Sequence, residues 1–378
     1  MSNYGYALPQ HLIAQQPIEP RSAARLLIGP DLRPGGSTAH ATVADLPMLL
    51  RAGDLVVVND TRVLPARLGL VKATGGRAEV LLLEPAASSP APNGQTEGNT
   101  WEALVRPGRR LPEGTLLFEG DGDPPVLEVG PPVCALSNDD EGDEASADGR
   151  RLVRLLDPSV VERAGTMPLP PYIRKSLDDP DRYQTVYSAA RELGERSTAA
   201  PTAGLHFTPE LLDACRAAGA TIATVDLAIG LDTFRPVTAA TAEEHVIHSE
   251  RYSVSAETMA ACERADRVVA VGTTVVRALE SAASTGVLSG RTELYIHGEY
   301  DFAVVDVLVT NFHLPRSSLL LLVEAFCGPI WRELYATAMA EGYRFLSFGD
   351  AMVVGRATRA SRATRAGRAT ESGGSGTR

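Results

Sequence analysis

The sequence predicts an α/β protein whose mainly parallel sheet is interrupted by an inserted six-stranded β-barrel. From Thr208 onward, short apolar runs alternate with segments of helical period, the pattern of sheet strands and the helices that cover them. Between Arg62 and Asp157 that alternation gives way to six short β-rich segments punctuated by Gly, Pro, Asn and Asp, which fits a small barrel. Ahead of these, 53–58 (GDLVVV) already reads as a buried strand of the first kind, so the barrel falls inside the α/β unit. The expected organisation is an α/β domain from residues 1–61 and 158–354, a barrel from 62–157 and a tail from 355–378, with hinges at 59–65 and 158–168.

In chain order, the barrel strands are ARLGLV, AEVLLLE, TWEALV, TLLFEG, PVLEV and RLVRLL. The stretch 86–99, rich in small residues and Pro, and the acidic run 138–148 cannot pack and read as solvated loops. Thr208-Pro209-Glu210 is an N-cap, a proline at the first helical position and an early acid, opening a helix that stops at Gly219. A strand follows at Thr221–Leu227, then a Ser255-capped helix towards Arg264 and a buried strand at Val268–Val271. The same reading places a helix from Thr273 or Thr274 through Leu279, a strand at Val304–Val309 and a helix at Ser318–Phe326. In the tail, Arg356, Arg359, Arg362, Arg365 and Arg368 recur every third residue without apolar partners. Such a segment reads as a disordered, solvated end, with contact to an RNA backbone as the alternative.

Composition narrows the class. At 378 residues, 44% hydrophobic and 22% charged, the chain has an ordinary globular make-up and room for two domains. The longest apolar run, Leu319–Val323, is far too short to span a membrane, and no secretion signal opens the chain. A cytoplasmic protein is expected. The four cysteines are scattered, with no C-x-x-C pair, so reduced thiols are expected and neither a zinc ribbon nor a redox motif. A net charge of −11 disfavours a generally basic coat but permits a local basic groove.

Several segments could carry chemistry. Gly272-Thr273-Thr274 turns a strand into a helix whose first N–H groups lack intrahelical partners, with Arg277 one turn on; such an end binds anions, and plain threonine capping is the alternative. The loop 201–207 (PTAGLHF) is dense in small residues. Thr202 and Gly204 there would let backbone approach a ligand with His206 directed at it, although a lone histidine is more often structural. His245, His248 and Glu250 crowd one stretch but lack the H-E-x-x-H order of a zinc site, and no metal is expected. Asn311 and His313, and likewise Asp60 and Arg62, follow strands as ligand loops do at the carboxyl edge of an α/β sheet.

Taken in order, the segments HLIAQQPIEPRSAARLL, GDLVVVNDTRVLPARL, MPLPPYIRK, RYQTVYS, AAPTAGLHFT, HVIHSE, RVVAVGTTVVRALES, VVDVLVTNFHLPRSSLLLLVEAF and YRFLSFGDAM closely resemble the S-adenosylmethionine:tRNA ribosyltransferase-isomerase family of the queuosine pathway. They extend over residues 8 to 354. The resemblance implies an α/β domain with an inserted six-stranded barrel. It also implies transfer of the ribosyl part of S-adenosylmethionine to 7-aminomethyl-7-deazaguanine in a tRNA with a GUN anticodon, giving epoxyqueuosine, adenine and methionine. S-adenosylmethionine is then a consumed substrate and not a cofactor, and a monomer is expected. This chemistry needs a base for the carbon beside the sulfonium, a donor for departing adenine and fixed partners for the methionine end. The expected assignment gives proton transfer to His206, His248 and Glu250, and carboxylate binding to Thr273, Thr274 and Arg277. Asn311, His313 and Asp350 would line the nucleoside pocket, and Asp60 and Arg62 would face the tRNA.

The chain departs from the family pattern His-x-Gly-x-Gly-Thr-Phe-x-Pro, with Ala228 at the histidine and Asp232 at a glycine. If the missing histidine serves chemistry, either His297 substitutes from another loop, or the chain is a paralogue with a different, non-tRNA acceptor or a non-catalytic binding protein. A tRNA enzyme should show a basic concavity joining barrel and α/β edge, and a small-molecule enzyme a closed pocket beside Asp232.

Overall fold

The computed structural model describes residues 2–33, 35–86, 99–108, 111–133, 149–230, 237, 239, 241–245 and 247–357. Cys134, Asp232, nearly all of the 86–99 loop, the acidic 138–148 run and the tail beyond Ala357 lie outside them.

Among the described residues, nine strands form one mixed sheet in the order Ser289–Thr292, Glu250–Val254, Thr221–Leu227, Asp54–Asn59, Arg267–Val271, Val307–Asn311, Ala351–Gly355, Arg25–Ile28 and Ala39–Thr42. The four strands from Thr221–Leu227 to Val307–Asn311 are mutually parallel. Antiparallel strands extend this centre on both sides, and Arg25–Ile28 runs parallel to Ala351–Gly355. The central strands read as continuous valine-rich runs because both faces are covered. Leu55, Val57, Val268, Ala270 and Leu308 join one core, with Val275, Leu279, Leu320 and Trp331 from the helices Thr273–Thr285, Ser318–Cys327 and Trp331–Ala340. Their neighbours Val56, Val58, Val269, Val271 and Val309 face the opposite core, with Leu211, Leu212 and Cys215 of the Pro209–Ala217 helix.

The inserted strands Arg67–Lys72, Arg77–Pro85, Thr100–Arg106, Arg150–Leu155, Pro125–Pro132 and Leu116–Phe118 pair antiparallel in that spatial order. Pairing of Val71 with Phe118 closes the ring, which leaves these strands without a free edge. All six match strands read from the sequence. The barrel has its own core, from Leu64 to Val161 and including the fully buried Trp101.

Three boundaries move. The strand expected at Val304 begins at Val307 because the N–H groups of Ala303, Val304 and Val305 donate to the buried Glu280 carboxylate at 2.6, 2.9 and 3.1 Å. The helix expected to stop at Leu279 continues to Thr285, where Gly286 ends it with φ 70°, the left-handed conformation that glycine adopts without a Cβ clash. The tail does not begin at Gly355: that residue pairs with Val307, and the Arg356 N–H donates to Asp306 O at 3.1 Å. No helix among the described residues is long and apolar enough to cross a membrane.

Candidate active site

Parallel pairing brings Asn59, 228–230, 272–274 and 311–313 to the same carboxyl edge of the sheet, the place where open α/β sheets bind ligands. Asn59 holds this edge together. It is fully buried, and its Nδ2 donates to Leu227 O at 3.0 Å and Thr274 Oγ1 at 3.2 Å. Its Oδ1 accepts the N–H groups of Thr61 at 3.1 Å and Leu227 at 3.2 Å. The sequence reading passed over Asn59 in favour of Asp60 and Arg62, although its place as the last residue of a buried strand was a signal.

Beside it, Gly272 (φ 95°) turns the strand into the Thr273–Thr285 helix, and no side chain caps this helix. Ser255, Thr208 and Ser317 each cap theirs. A slot of about 30 Å³ opens at this helix start, walled by Thr202, Gly272, Thr273, Thr274, Asn311 and His313 among others. Thr202 Oγ1 donates to Asn311 Oδ1 at 3.0 Å, and Asn311 Nδ2 donates to Leu346 O at 3.2 Å. The His313 ring meets Thr310 Oγ1 at 3.0 Å. Burial pushes its pKa down to about 3, so the ring is neutral.

Other expected residues stand elsewhere. The His206 ring lies between two backbone carbonyls, Nδ1 3.0 Å from Ala203 O and Nε2 2.9 Å from Gly349 O. Burial lowers its pKa against the raising effect of those contacts, and it walls neither the slot nor the groove described below. Asp350 accepts from the backbone of Arg25 at 3.1 Å and Arg344 at 2.7 Å and pairs with the Arg344 guanidinium, so its carboxylate serves the Arg344–Asp350 turn. Gly204 lies against a side chain: a Cβ there would stand 2.1 Å from Tyr187 Oη. Asp60 pairs with Arg191. Arg62 is half-buried, its carbonyl accepting the Ser197 N–H at 2.8 Å. Arg191 also approaches Asp226 at 3.6 Å, and burial raises the Asp226 pKa.

Glu250 and Arg277 form a buried ion pair. Glu250 Oε1 also accepts the Gly230 N–H at 3.1 Å, and Arg277 Nε donates to Leu294 O at 3.1 Å. This pair backs a second, open cavity of about 430 Å³ between the barrel (Leu83–Pro85, Arg150) and the α/β layer. Arg150, Arg196, Arg251 and Arg291 border it, against Glu84 and Glu250. His248 is exposed in its wall, which also includes the half-buried Ala228, where the family pattern carries histidine. His297 instead packs on Tyr295, ring centroids 4.5 Å apart. Ile229 borders both cavities, so groove and slot adjoin.

A polar slot at a parallel sheet edge, adjoining a basic groove beneath an inserted barrel, defines an α/β enzyme of the edge-cleft class. The chain belongs to the queuosine biosynthesis protein family, which it matches over residues 1–354. Among its relatives, the S-adenosylmethionine:tRNA ribosyltransferase-isomerase of Moorella thermoacetica is 48% identical over 372 residues, covering 94% of this chain and 99% of that one. The enzyme of that name from Rubrobacter xylanophilus is 48% identical over 359 residues, covering 94% and 98%. A crystal structure of the S-adenosylmethionine tRNA ribosyltransferase of Thermotoga maritima matches at 33% identity and a TM-score of 0.48, covering 93% and 99%.

Proposed function

We propose that this protein transfers the ribosyl part of S-adenosylmethionine to 7-aminomethyl-7-deazaguanine in a GUN-anticodon tRNA and isomerises it, forming epoxyqueuosine and releasing adenine and methionine. The observation that carries the reading is the open groove bordered by four arginines, which shares Ile229 as a wall with the slot. A polyanionic acceptor needs such a basic concavity, and the small slot suits one end of the second substrate.

His248, exposed in the groove wall beside Glu250, is the candidate base for the carbon next to the sulfonium. Removing that proton sets off loss of adenine, the aminomethyl nitrogen bonds to the ribosyl carbon skeleton, and closure of the epoxide by an alkoxide oxygen breaks the carbon–sulfur bond with methionine as the leaving group. Thr273 and Thr274 hold the methionine carboxylate at the helix start, and Asn311 and His313 border the adjoining part of the site. His206, Asp350 and Arg277 act as positioning residues, since His206 bonds to backbone, Asp350 to Arg25 and Arg344, and Arg277 to Glu250 and Leu294 O.

Adenine and methionine release from S-adenosylmethionine, measured with and without tRNA carrying the aminomethyl base and followed by nucleoside mass analysis, tests the reading. Release that requires this tRNA and adds an epoxycyclopentane is expected. Release without tRNA would point to another acceptor, and binding without release to a non-catalytic protein.

A further inference from the structure

The two walls of the slot offer opposite hydrogen-bonding groups. On one side, the first N–H groups of the Thr273–Thr285 helix have no intrahelical partner and no side-chain cap. Thr273, 5% exposed, carries a hydroxyl without a partner among the described residues and walls the slot. Asn59 decides the role of the next hydroxyl. Its amide orientation follows from its partners, with Oδ1 on two N–H groups and Nδ2 on the Leu227 carbonyl. Nδ2 therefore donates to Thr274 Oγ1, which leaves the Thr274 proton for an acceptor in the slot. This wall is a set of donors.

The opposite wall is a set of acceptors. Asn311 Nδ2 is committed to carbonyl oxygens, so Oδ1 faces Thr202, and the Thr202 proton is used on it. The lone pairs of Thr202 Oγ1 and the remaining one of Asn311 Oδ1 are left for a donor. Among the described residues no Asp, Glu, Lys or Arg side chain walls the slot; Arg277, on the same helix, pairs through Nη1 with Glu250 and donates through Nε to Leu294 O, while its Nη2 is buried without a partner among the described residues. A site with donors on one side, acceptors on the other and no net charge matches a ligand end that carries both charges.

We infer that the slot receives an α-amino-acid zwitterion, carboxylate against Gly272–Thr274 and ammonium against Thr202 and Asn311, with Asn59 as the positioning residue that gives the walls their opposite polarity. The inference rests on the reading of S-adenosylmethionine as substrate, whose methionine end is such a zwitterion, and adds the ammonium partners and the part played by Asn59.

Calorimetric binding of three probes tests it: S-adenosylmethionine, its decarboxylated form, which keeps the amine, and 5′-methylthioadenosine, which lacks the amino-acid end. Hydrogen bonds to charged groups set the expected changes at about tenfold or more. Thr273→Val should weaken S-adenosylmethionine by that factor and leave the other two probes unchanged. Thr202→Val should weaken S-adenosylmethionine and the decarboxylated form alike, without affecting methylthioadenosine. Asn59→Asp, which replaces the donor by an acceptor, and Thr274→Ala should both reduce the preference for S-adenosylmethionine over its decarboxylated form. Equal losses for all three probes in these variants would reduce the residues to structural roles and overturn the inference. Equal binding of S-adenosylmethionine and methylthioadenosine by the wild type would do the same while leaving the transferase reading intact, provided adenine is still released with tRNA. A wild type that neither binds nor consumes S-adenosylmethionine removes both.

Discussion

Glu250 and Arg277, 27 positions apart in sequence, close on each other as an ion pair in which each side chain is about 95% buried. The pair ties the strand Glu250–Val254 to the Thr273–Thr285 helix, and through Gly230 it fixes the segment that walls the groove. Taking one charge away leaves the other uncompensated in a medium that cannot solvate it. Glu250→Ala should therefore destabilise the protein by about 3–5 kcal/mol in urea unfolding, whereas replacing both residues by apolar ones of similar volume should recover most of that loss. A double-variant cycle that shows additive losses would contradict the coupling.

His206 and His248 separate structure from chemistry. Neutral His206 donates its one N–H to either the Ala203 or the Gly349 carbonyl, so His206→Ala leaves that buried carbonyl unpaired and should cost about 1–3 kcal/mol of stability. Turnover well below the lowered melting temperature should persist. His248→Ala should leave the melting temperature nearly unchanged and reduce tRNA-dependent adenine release by about 10²–10⁴-fold. The reverse result would return the base to His206.

Acid should weaken the fold partly through His313. Its folded pKa of about 3 lies below the unfolded value of about 6.5. The unfolded chain therefore binds a proton in that window and the folded chain does not. The contribution is fully present above pH 6.5 and is lost as the pH falls towards 3. His206, lowered by burial, acts in the same direction. In urea titrations at pH 8 and pH 5, the stability gap between wild type and His313→Gln should narrow by roughly 2 kcal/mol on acidification. A gap independent of pH would show that the ring is not held neutral.

Gly204 is required by Tyr187. With a Cβ 2.1 Å from Tyr187 Oη and 3.0 Å from Thr185 Cγ2, Gly204→Ala should cost about 1–3 kcal/mol through overpacking. The Tyr187 hydroxyl is buried without a hydrogen-bond partner among the described residues, so Tyr187→Phe alone should be close to neutral. Combined with Gly204→Ala it should restore part of the loss, read from thermal melts of the four proteins.

Sequence by itself determined the strands and the insertion. All six barrel strands, the Thr208 and Ser255 caps and the Thr273 helix start follow from apolar period, β-branched content and capping chemistry, which act within a few residues of chain. The family signature likewise lies in short ordered segments. What the sequence could not give is which polar atoms remain available to a ligand. His206, Asp350 and Arg277 look like site residues in their motifs, yet each bonds to a group of the fold, 143, 6 and 27 positions away. Asn59 looks like the mere end of a strand, yet it reaches Leu227 and Thr274, 168 and 215 positions on. Hydrogen bonds between distant segments are decided by sheet register and helix placement, so tertiary structure alone assigned the donors and acceptors of the slot and set it beside the groove under the barrel.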